Sequence, residues 1–337
     1  MSSVTIKKIN DKIFWDDFIF NSENGTVFHQ YDWLAAAANH SGMKLTLLVV
    51  SKGDKPVCVL PLFKGKKAGI RVLLSPPNSC GIPFLGPAFN LPSSNRYNAE
   101  RTFLEIIEEI VKFAKQEIGY DFFRIINTPN INDIRPYKWL GFSVNTSYTY
   151  RFELKDDSQK IHDEFHRTTR NVLQKAQKDS SLEITNENKN SEEILKMLRE
   201  RYRMQGKKFK ISSDYFRQLM DSSINENIEV IAVLSDKQFA AGDIALVFKK
   251  DAFAWLGTVN RDIKTNGIGE LVLWEKIKDL SSRGINTYDI VGANTPHICK
   301  HKSKYGADLI TYYDVFDTSF KGKVALKLLK LWGKKIS

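Results

Sequence analysis

The sequence predicts an α/β fold with mixed sheets, in which one unit occurs twice. A hairpin, a long helix, a strand and a late strand follow one another in the first half of the chain, and this order returns in the second half. The two hairpins read KLTLLVVSKGDKPVCVLPLF and IEVIAVLSDKQFAAGDIALVF. A repeated order of this length indicates duplication of a domain of roughly 150 residues. We therefore predict domains over residues 1–156 and 157–319, followed by a terminal helix over 320–337.

The elements of the first half follow from hydrophobic periodicity. Residues 98–118 are predicted as an amphipathic helix, because Phe103, Ile106 and Ile110 recur at helical spacing. Tyr148 and Tyr150 begin an alternation typical of a strand. The other predicted elements are a helix at 28–40 and strands at 44–50, 57–63 and 121–126.

The second half carries the stretch around which the chain is organised. Strands are predicted at 240–248 and 252–258, then a glycine turn that opens a helix, and a strand at 286–291. Leu271, Val272 and Trp274 begin the helical periodicity, and Gly284 is expected to end it. Before this stretch, a basic helix is predicted over 161–178.

Composition narrows the function classes. The chain has 337 residues, 42% of them hydrophobic, and a net charge of +11. Such a charge indicates an acidic ligand or surface, such as phosphates, RNA or anionic lipid, although a basic solvated surface would also account for it. Three unpaired cysteines and scattered histidines predict a reducing compartment and no metal site. The beginning of the chain is polar and lacks a secretory pattern, so we expect a cytoplasmic protein.

The turn at 264–269 precedes the helix of the central stretch. It contains Lys264, Asn266, Gly267, Ile268 and Gly269. A helix N-terminus attracts anions, glycines allow close approach to a phosphate, and a lysine adds charge. The spacing resembles the pyrophosphate-binding turn of acyl-CoA-dependent N-acyltransferases of the GNAT superfamily, with lysine in place of glutamine or arginine. The alternative is a helix N-cap at Asn266 with two turn glycines.

Further motifs extend the resemblance over most of the chain. The chain resembles the FemAB-like (Fem) family, tandem GNAT-fold N-acyltransferases that include the peptidoglycan bridge-forming aminoacyl transferases. The resemblance rests on the motifs WLAAA at Trp33, LPL at Leu60, RTTRNVLQKA at Arg167, WLG at Trp255, YDIVG at Tyr288 and HKSKYG at His301. It implies two GNAT-like domains with a cleft between them. The family's coiled-coil insertion is absent, which points away from peptidoglycan as acceptor.

The resemblance also implies site residues. Lys302 would stabilise an oxyanion or bind donor phosphates, beside Tyr305. Arg167 and Arg170 would clamp phosphates of a substrate, since guanidinium groups bind phosphate bidentately. For each of these residues a structural alternative is open: a surface lysine, a core tyrosine, and a solvated helix face.

Three more side chains are candidates from their position in predicted strands. Asp289 lies at a strand end, where its carboxylate would orient or deprotonate an amine or satisfy a turn. Asp243 interrupts an apolar strand and needs a partner if it is buried, either in the cleft or in water at the strand edge. Trp255 is a candidate for substrate binding or for packing.

The terminal helix at 320–337 is basic and amphipathic. Val324, Leu328, Leu331 and Trp332 share one side, and lysines lie mainly on the other. This pattern predicts either docking on an anionic membrane surface or packing on the preceding domain.

Together these features predict an N-acyltransferase. Its favoured donor is acyl-CoA, and its acceptor is an amine on a cell-envelope or polysaccharide precursor such as a nucleotide-linked amino sugar. One alternative is aminoacyl transfer from aminoacyl-tRNA. Another is a protein without catalytic activity that binds anionic lipid or nucleic acid on the same fold.

Overall fold

The computed structural model describes residues 3–91, 95–154 and 158–331, with side chains up to Lys327. Its strands are β1 Val4–Ile9, β2 Lys44–Lys52, β3 Lys55–Lys67, β4 Ile70–Ser75, β5 Ala88–Phe89, β6 Phe122–Ile126, β7 Ser143–Glu153, β8 Leu182–Thr185, β9 Ile228–Ser235, β10 Gln238–Phe248, β11 Asp251–Val259, β12 Thr287–Asp289 and β13 Asp308–Thr318. Its helices are α1 Lys12–Asn21, α2 Tyr31–Ser41, α3 Arg96–Phe113, α4 Arg135–Trp139, α5 Ser158–Glu164, α6 Arg167–Gln177, α7 Asn190–Met204, α8 Ser213–Met220, α9 Ile268–Ser282, α10 Pro296–Lys302 and α11 Phe320–Leu331.

The chain forms two compact units. Unit 1 contains the residues up to Ser147, together with Ile211–Ser222 and the chain from Thr311 onward. Unit 2 contains Tyr148–Lys210 and Ser223–Ile310. The segment Ile211–Ser222 belongs to unit 1 because α8 packs there, with Tyr215 donating a hydrogen bond to the carbonyl of Cys80 at 2.9 Å. The domain limits at residues 156 and 319 stay a prediction.

Unit 1 is a sheet covered by α3. The strands lie in the order β1-β2-β3-β4-β6-β13, with β5 beside β3 and with the parallel pair β4–β6 among antiparallel neighbours. Asn95 caps α3 by accepting hydrogen bonds from the amides of Tyr97 and Asn98. Ile106 and Ile110 are fully buried against the sheet, so the helical periodicity predicted for residues 98–118 is confirmed. A π-turn over Ala114–Ile118 extends the helix to that point.

Unit 2 repeats this order of elements. Its strands lie in the order β7-β12-β11-β10-β9-β8, and β11–β12 is the parallel pair. In both units a helix joins the two parallel strands, α3 between β4 and β6 and α9 between β11 and β12. Apolar residues of α9, including Leu271, Ile277 and Leu280, are buried against this sheet. The predicted α/β fold with a repeated unit is confirmed.

The predicted basic helix over 161–178 is two helices. The backbone of His166 is extended, with φ −54° and ψ 143°, and its side chain accepts a hydrogen bond from the amide of Thr168. The chain therefore ends α5 at Glu164 and begins α6 anew at Arg167. The single helix was a wrong prediction because the break depends on a cap formed by a histidine, which charge and periodicity do not mark.

The described part of the terminal helix α11 packs through residues other than Val324. Gly322 is buried, and a Cβ added there would overlap the carbonyl oxygen of Asp121. Ala325 and Leu326 pack against an apolar cluster that includes Ile70 and Phe122, whereas Val324 is 46% exposed. The side chains of Leu328 and Leu331, and Trp332 with the rest of the chain, lie outside the described residues. Docking of this helix on a membrane stays a prediction.

Candidate active site

Strands β11 and β12 separate along their length. They pair over three residues, of which the last pair is Phe253 and Asp289. β11 then continues to Val259 with β10 as its partner. A bulge at Trp255 interrupts this pairing, since Ala254 faces Ala245 and Leu256 faces Ile244. Bulges bend a strand and commonly lie next to active sites. Here the separation opens a gap between the parallel strands.

The corresponding gap in unit 1 is closed by the chain itself. The parallel pairing of β4 and β6 ends at Ser75 and Ile125. Leu85 continues it by donating its amide hydrogen to the carbonyl of Ile126 at 2.8 Å and by forming a bridge with Asn127. The open gap is thus a property of unit 2.

A cavity of about 780 Å³ occupies the open gap of unit 2. This volume lies within the range of small-molecule sites. Its lining combines residues of β10, β11, α9, α7 and α10. Six basic side chains contribute to it: Arg201, Lys207, Arg261, His297, His301 and Lys302. Among the described residues that line it, Asp243 is the one carboxylate. The cavity therefore suits a ligand with anionic groups.

Lys302 lines the cavity at the end of α10. Its ammonium donates hydrogen bonds to the carbonyl oxygens of Ile290 and Val291, the latter at 2.8 Å. A lysine ammonium has three donors, so one is left for a ligand. Burial lowers the pKa of Lys302, and the negative charges of Asp243 and Asp289 oppose that shift. The group is held rigidly by the backbone, as an oxyanion-binding cation must be.

Asp243 lies on β10 opposite Gly257 of β11. Its Oδ2 accepts a hydrogen bond from the hydroxyl group of Tyr288 at 3.1 Å. Burial raises the pKa of Asp243, and the charges of Lys276 and Lys302 act against this rise together with the Tyr288 hydrogen bond. Asp243 thus lines the cavity of unit 2, and its role there stays a prediction.

Asp289 lies in the interior and does not line the cavity. It is fully buried, and its carboxylate accepts hydrogen bonds from the hydroxyl of Thr149 and from the amide of Val291 at 2.8 Å. Arg151 lies 3.5 Å from it. Burial raises the pKa of Asp289 despite these partners. An acidic group so enclosed cannot reach a substrate amine directly, so its geometry corrects the prediction that it deprotonates one and favours the turn-satisfying alternative.

Tyr305 packs in the hydrophobic core and also lines the cavity. Its ring lies 5.7 Å from that of Phe165, while its hydroxyl lies 3.0 Å from Nε2 of His301. Burial raises the pKa of Tyr305, reinforced by the charge of Glu270, so the phenol stays neutral. It is placed to orient His301, which also lines the cavity.

The 264–269 turn contributes one of its predicted ligand-binding residues to the cavity. Gly269 lines it, whereas Lys264 and Asn266 are exposed elsewhere and Ile268 is buried in the core. The N-cap of α9 is Gly267, not Asn266, and no side chain caps it. Gly267 has φ +88°, and a Cβ there would overlap the carbonyl oxygen of Val172 in α6. Packing between α6 and α9 is thus the physical reason for this glycine.

The chain is similar to known proteins both over unit 2 and over nearly its whole length. Residues 163–302 match the family model of the acetyltransferase (GNAT) domain. The crystal structure of FemX superposes with a TM-score of 0.68 at 12% identity, over 96% of this chain and 99% of that one.

The chain has a FemAB-like GNAT acyltransferase fold.

Two further structures share this GNAT acyltransferase fold. L-PGS from Bacillus licheniformis has a TM-score of 0.57 at 12% identity, over 96% of this chain and 98% of that one. A tandem GNAT protein from the clavulanic acid biosynthesis pathway has a TM-score of 0.50 at 10% identity, over 94% and 98%. No curated protein matches the sequence. The GNAT domain at residues 163–302 supports the predicted acyltransferase.

The arginines of α6 do not line the 780 Å³ cavity of unit 2. Arg170 borders a separate cavity of about 350 Å³ with His162 and Trp274, and it donates a hydrogen bond to the carbonyl of Asp163 at 3.3 Å. Arg167 is exposed and lines neither cavity. Trp255, at the bulge of β11, is likewise not in the lining. These three residues therefore do not line the cavity that contains Lys302.

The cavity of unit 2 is also lined by residues that were not predicted as site residues. Tyr202 was not among the candidate residues, and Tyr288 and His301 were named only as parts of motifs. Arg201 and Lys207 belong to a basic run at 201–210, and this charge was the signal that could have found them. Tyr288 occupies an apolar position of a predicted strand, and nothing in that pattern distinguishes a cavity-lining residue from a core residue.

The residues described include no group of histidine, cysteine and acidic side chains able to hold a metal ion. Across the same residues, no helix has the length and apolar character needed to cross a membrane.

Proposed function

We propose that unit 2 transfers an aminoacyl group from aminoacyl-tRNA to an amine on an anionic precursor of the cell envelope or of a polysaccharide, such as a nucleotide-linked amino sugar. The observation that carries this proposal is the open cavity between β11 and β12, with the Lys302 ammonium inside it and basic side chains around it. A ligand with phosphates and a reacting carbonyl matches both features.

The reaction needs few groups from the protein. The acceptor nitrogen attacks the ester carbonyl carbon, and a tetrahedral intermediate with a negative oxygen forms. The remaining N–H donor of Lys302 would stabilise that oxygen. The carbon–oxygen bond then breaks, the 3′ hydroxyl of the tRNA leaves with a proton, and an amide remains. Holding both substrates in one cavity would supply much of the rate.

Asp289 would act through Lys302. It holds the turn after β12 by accepting the amide hydrogen of Val291, whose φ is +54°. A β-branched residue in the left-handed region is strained, and such strain persists where the surroundings impose it. The carbonyls of this turn are the ones that hold the Lys302 ammonium. We therefore assign Asp289 a positioning role in place of the predicted catalytic one.

The name of one structural neighbour supports an aminoacyl donor. This neighbour is the C-terminal domain of a putative lysylphosphatidylglycerol synthetase from Agrobacterium fabrum, with a TM-score of 0.56 at 12% identity, over 94% of this chain and 95% of that one. Its name denotes a product that carries a lysyl group. The net charge of +11 suits tRNA as well.

Acyl-CoA is the second candidate donor, because Gly269 of the 264–269 turn lines the cavity next to the N-terminus of α9. The close contact of Gly267 with Val172 and the surface position of Lys264 speak against a pyrophosphate site made by the whole turn.

Transfer assays distinguish the two donors. The chain is incubated with radiolabelled aminoacyl-tRNAs or acetyl-CoA and with nucleotide-linked amino sugars. Aminoacyl transfer predicts a labelled product that survives mild base, since an amide withstands conditions that cleave the tRNA ester. Label from acetyl-CoA alone would favour the second candidate. Salt-dependent binding of tRNA without any transfer would oppose both.

A further inference from the structure

The carboxylate of Asp243 lacks a counter-ion in the described part of the chain. It accepts one hydrogen bond there, from Tyr288, and no lysine, arginine or histidine lies within ion-pair distance of it. Asp243 is half-buried in the cavity wall, and a carboxylate that loses part of its hydration is stabilised by an ion pair or further hydrogen bonds. Its second oxygen, Oδ1, therefore has unused capacity to accept hydrogen bonds.

The basic groups nearest to Asp243 are engaged elsewhere. Lys302 donates to the carbonyls of Ile290 and Val291. Lys276 is buried and lies 3.5 Å from Glu229, which also pairs with Arg283 at 2.7 Å. Both lysines act on Asp243 by charge from a distance, and neither neutralises it by contact.

Gly257 keeps the space beside Asp243 free. A Cβ added at Gly257 would lie 2.8 Å from Oδ1 of Asp243. Both residues line the cavity, together with Tyr288. A larger residue at position 257 would push against the carboxylate from the neighbouring strand. The glycine thus leaves Oδ1 open to a ligand in the cavity.

We propose that Asp243 binds the α-ammonium group of the aminoacyl donor and so selects aminoacyl over simple acyl groups. This inference rests on the proposed function and deepens it. The cavity is otherwise basic, so a ligand that satisfies it must be anionic at one end and, at Asp243, cationic. An aminoacyl ester of tRNA has phosphates and an ammonium next to the reacting carbonyl, whereas an acetyl or other plain acyl group offers no cation.

A rival role for Asp243 is that of general base for the attacking amine. The two roles differ in what they require of the donor. A general base acts on the acceptor, so its loss lowers turnover whatever the donor carries. An ammonium-binding residue acts on donor binding, so its loss matters only when the α-amine of the donor is free.

Binding of stable donor analogues tests the proposal without an acceptor. The probes are adenosines that carry a glycyl, alanyl, leucyl or lysyl group on a 3′-amide, each paired with its Nα-acetyl form. Binding to the whole chain is measured by calorimetry at pH 7, where an α-amine with an ordinary pKa near 7.7–8.0 is largely protonated. We expect the wild type to bind the best free-amine probe at least about tenfold more tightly than its acetylated form, as for a charge-assisted hydrogen bond.

Two variants complete the design. Asp243→Asn keeps the shape and an acceptor for Tyr288 but removes the charge, and we expect it to lose that preference. Asp262→Asn makes the same change at an exposed aspartate that does not line the cavity, and we expect it to keep the preference. Circular dichroism checks that both variants are folded. The comparison of free and acetylated probes on the wild type does not depend on any variant.

Three results of the binding experiment would contradict the proposal. Equal binding of the free and acetylated probes by the wild type would overturn the ammonium role alone. A preference that survives in Asp243→Asn would also overturn it and assign the discrimination to another group. Absence of binding for every probe, with no transfer from aminoacyl-tRNA, would overturn the proposed function and this inference together.

Discussion

The ammonium of Lys302 donates a hydrogen bond to the carbonyl of Val291 at 2.8 Å, and Val291 has a φ of +54°. A strained backbone turn thus positions a cation in the cavity. Asp289 holds this turn from the interior through the amide of the same valine. The three residues form one arrangement, in which a buried carboxylate determines where a partly buried ammonium lies.

Lys302→Met is expected to reduce transfer strongly. Methionine keeps an unbranched side chain but removes all three donors, and loss of an oxyanion donor costs about 10²–10³-fold in kcat. Stability should fall much less than activity, because the carbonyls of Ile290 and Val291 lie beside a cavity that water can enter. The measurement is the single-turnover rate with saturating donor, beside a thermal unfolding curve.

Lys304→Met is the matched control for this change. Lys304 is exposed two residues further on and does not line the cavity. Its variant should transfer at the wild-type rate. Wild-type turnover in Lys302→Met, or an equal loss in both variants, would contradict the role assigned to Lys302.

Asp243→Asn is expected to stabilise the protein at neutral pH. Burial raises the pKa of Asp243 above its ordinary value of 3.8. A carboxyl group whose pKa is raised by folding contributes stability below the unfolded pKa, and this contribution is lost as the pH rises through the folded pKa. At pH 7 the wild type therefore carries a half-buried carboxylate charge, without a counter-ion among the described residues, which asparagine lacks.

The measurement is the difference in unfolding midpoint between Asp243→Asn and wild type at several pH values. The difference should favour the variant at pH 7 and shrink as the pH falls through the raised pKa of the wild-type carboxyl group. Asp262→Asn should show no such trend. A wild type more stable than Asp243→Asn at pH 7 would show that the charge is paired after all.

We expect Gly267→Ala to lower the stability of the fold and Gly269→Ala to weaken donor binding. Alanine at 267 must adopt a φ of +88° and meets the carbonyl of Val172, so we expect a loss of at least about 1 kcal/mol in the free energy of unfolding. At 269 the nearest atom to a new Cβ is Cγ2 of Val259 at 3.2 Å, which a small shift of a side chain relieves. Here the fold should persist while donor binding weakens.

Thermal unfolding and donor titration of both glycine variants check this. A loss of 1 kcal/mol lowers the midpoint by about 2–4 °C in a protein of this size class. Donor binding that is lost in Gly267→Ala at full stability would instead favour a phosphate site formed by the 264–269 turn.

Arg201→Ala is expected to weaken donor binding and its dependence on salt. Arg201 lines the cavity from α7, and each lost phosphate contact lowers the slope of log affinity against log salt by about 0.7–0.9. Arg203→Ala is the control, since Arg203 is exposed, lies 3.3 Å from Glu200 and does not line the cavity. Equal slopes in Arg201→Ala and wild type would exclude Arg201 from phosphate binding.

Local pattern predicted the elements around the site well. The hairpin of β10 and β11, the helix after the glycine turn and the strand that follows it were all read from periods of two and 3.6 residues. Lys302 and Asp243 were picked out as candidates by a family motif and by a charge within an apolar strand. Both signals lie within a few residues of sequence, so no knowledge of distant contacts was needed.

Three candidate residues have neighbours that their motifs did not indicate. The roles of Gly267, Asp289 and Arg170 depend on neighbours distant in sequence: Val172 for the glycine, Thr149 and Arg151 for the aspartate, and Trp274 for the cavity beside the arginine. A glycine that permits helix packing and one that admits a phosphate look alike in a motif.

The sequence by itself determined the α/β class, the repeated unit and the acyltransferase resemblance, because these depend on periodicity and short motifs. Only the tertiary structure decided which gap between parallel strands is open. Leu85 continues the pairing in unit 1, while β12 ends at Asp289 and leaves a cavity in unit 2. Tertiary structure also separated Asp243, which meets the cavity, from Asp289, which is enclosed, since burial depends on what the folded chain brings around each carboxylate.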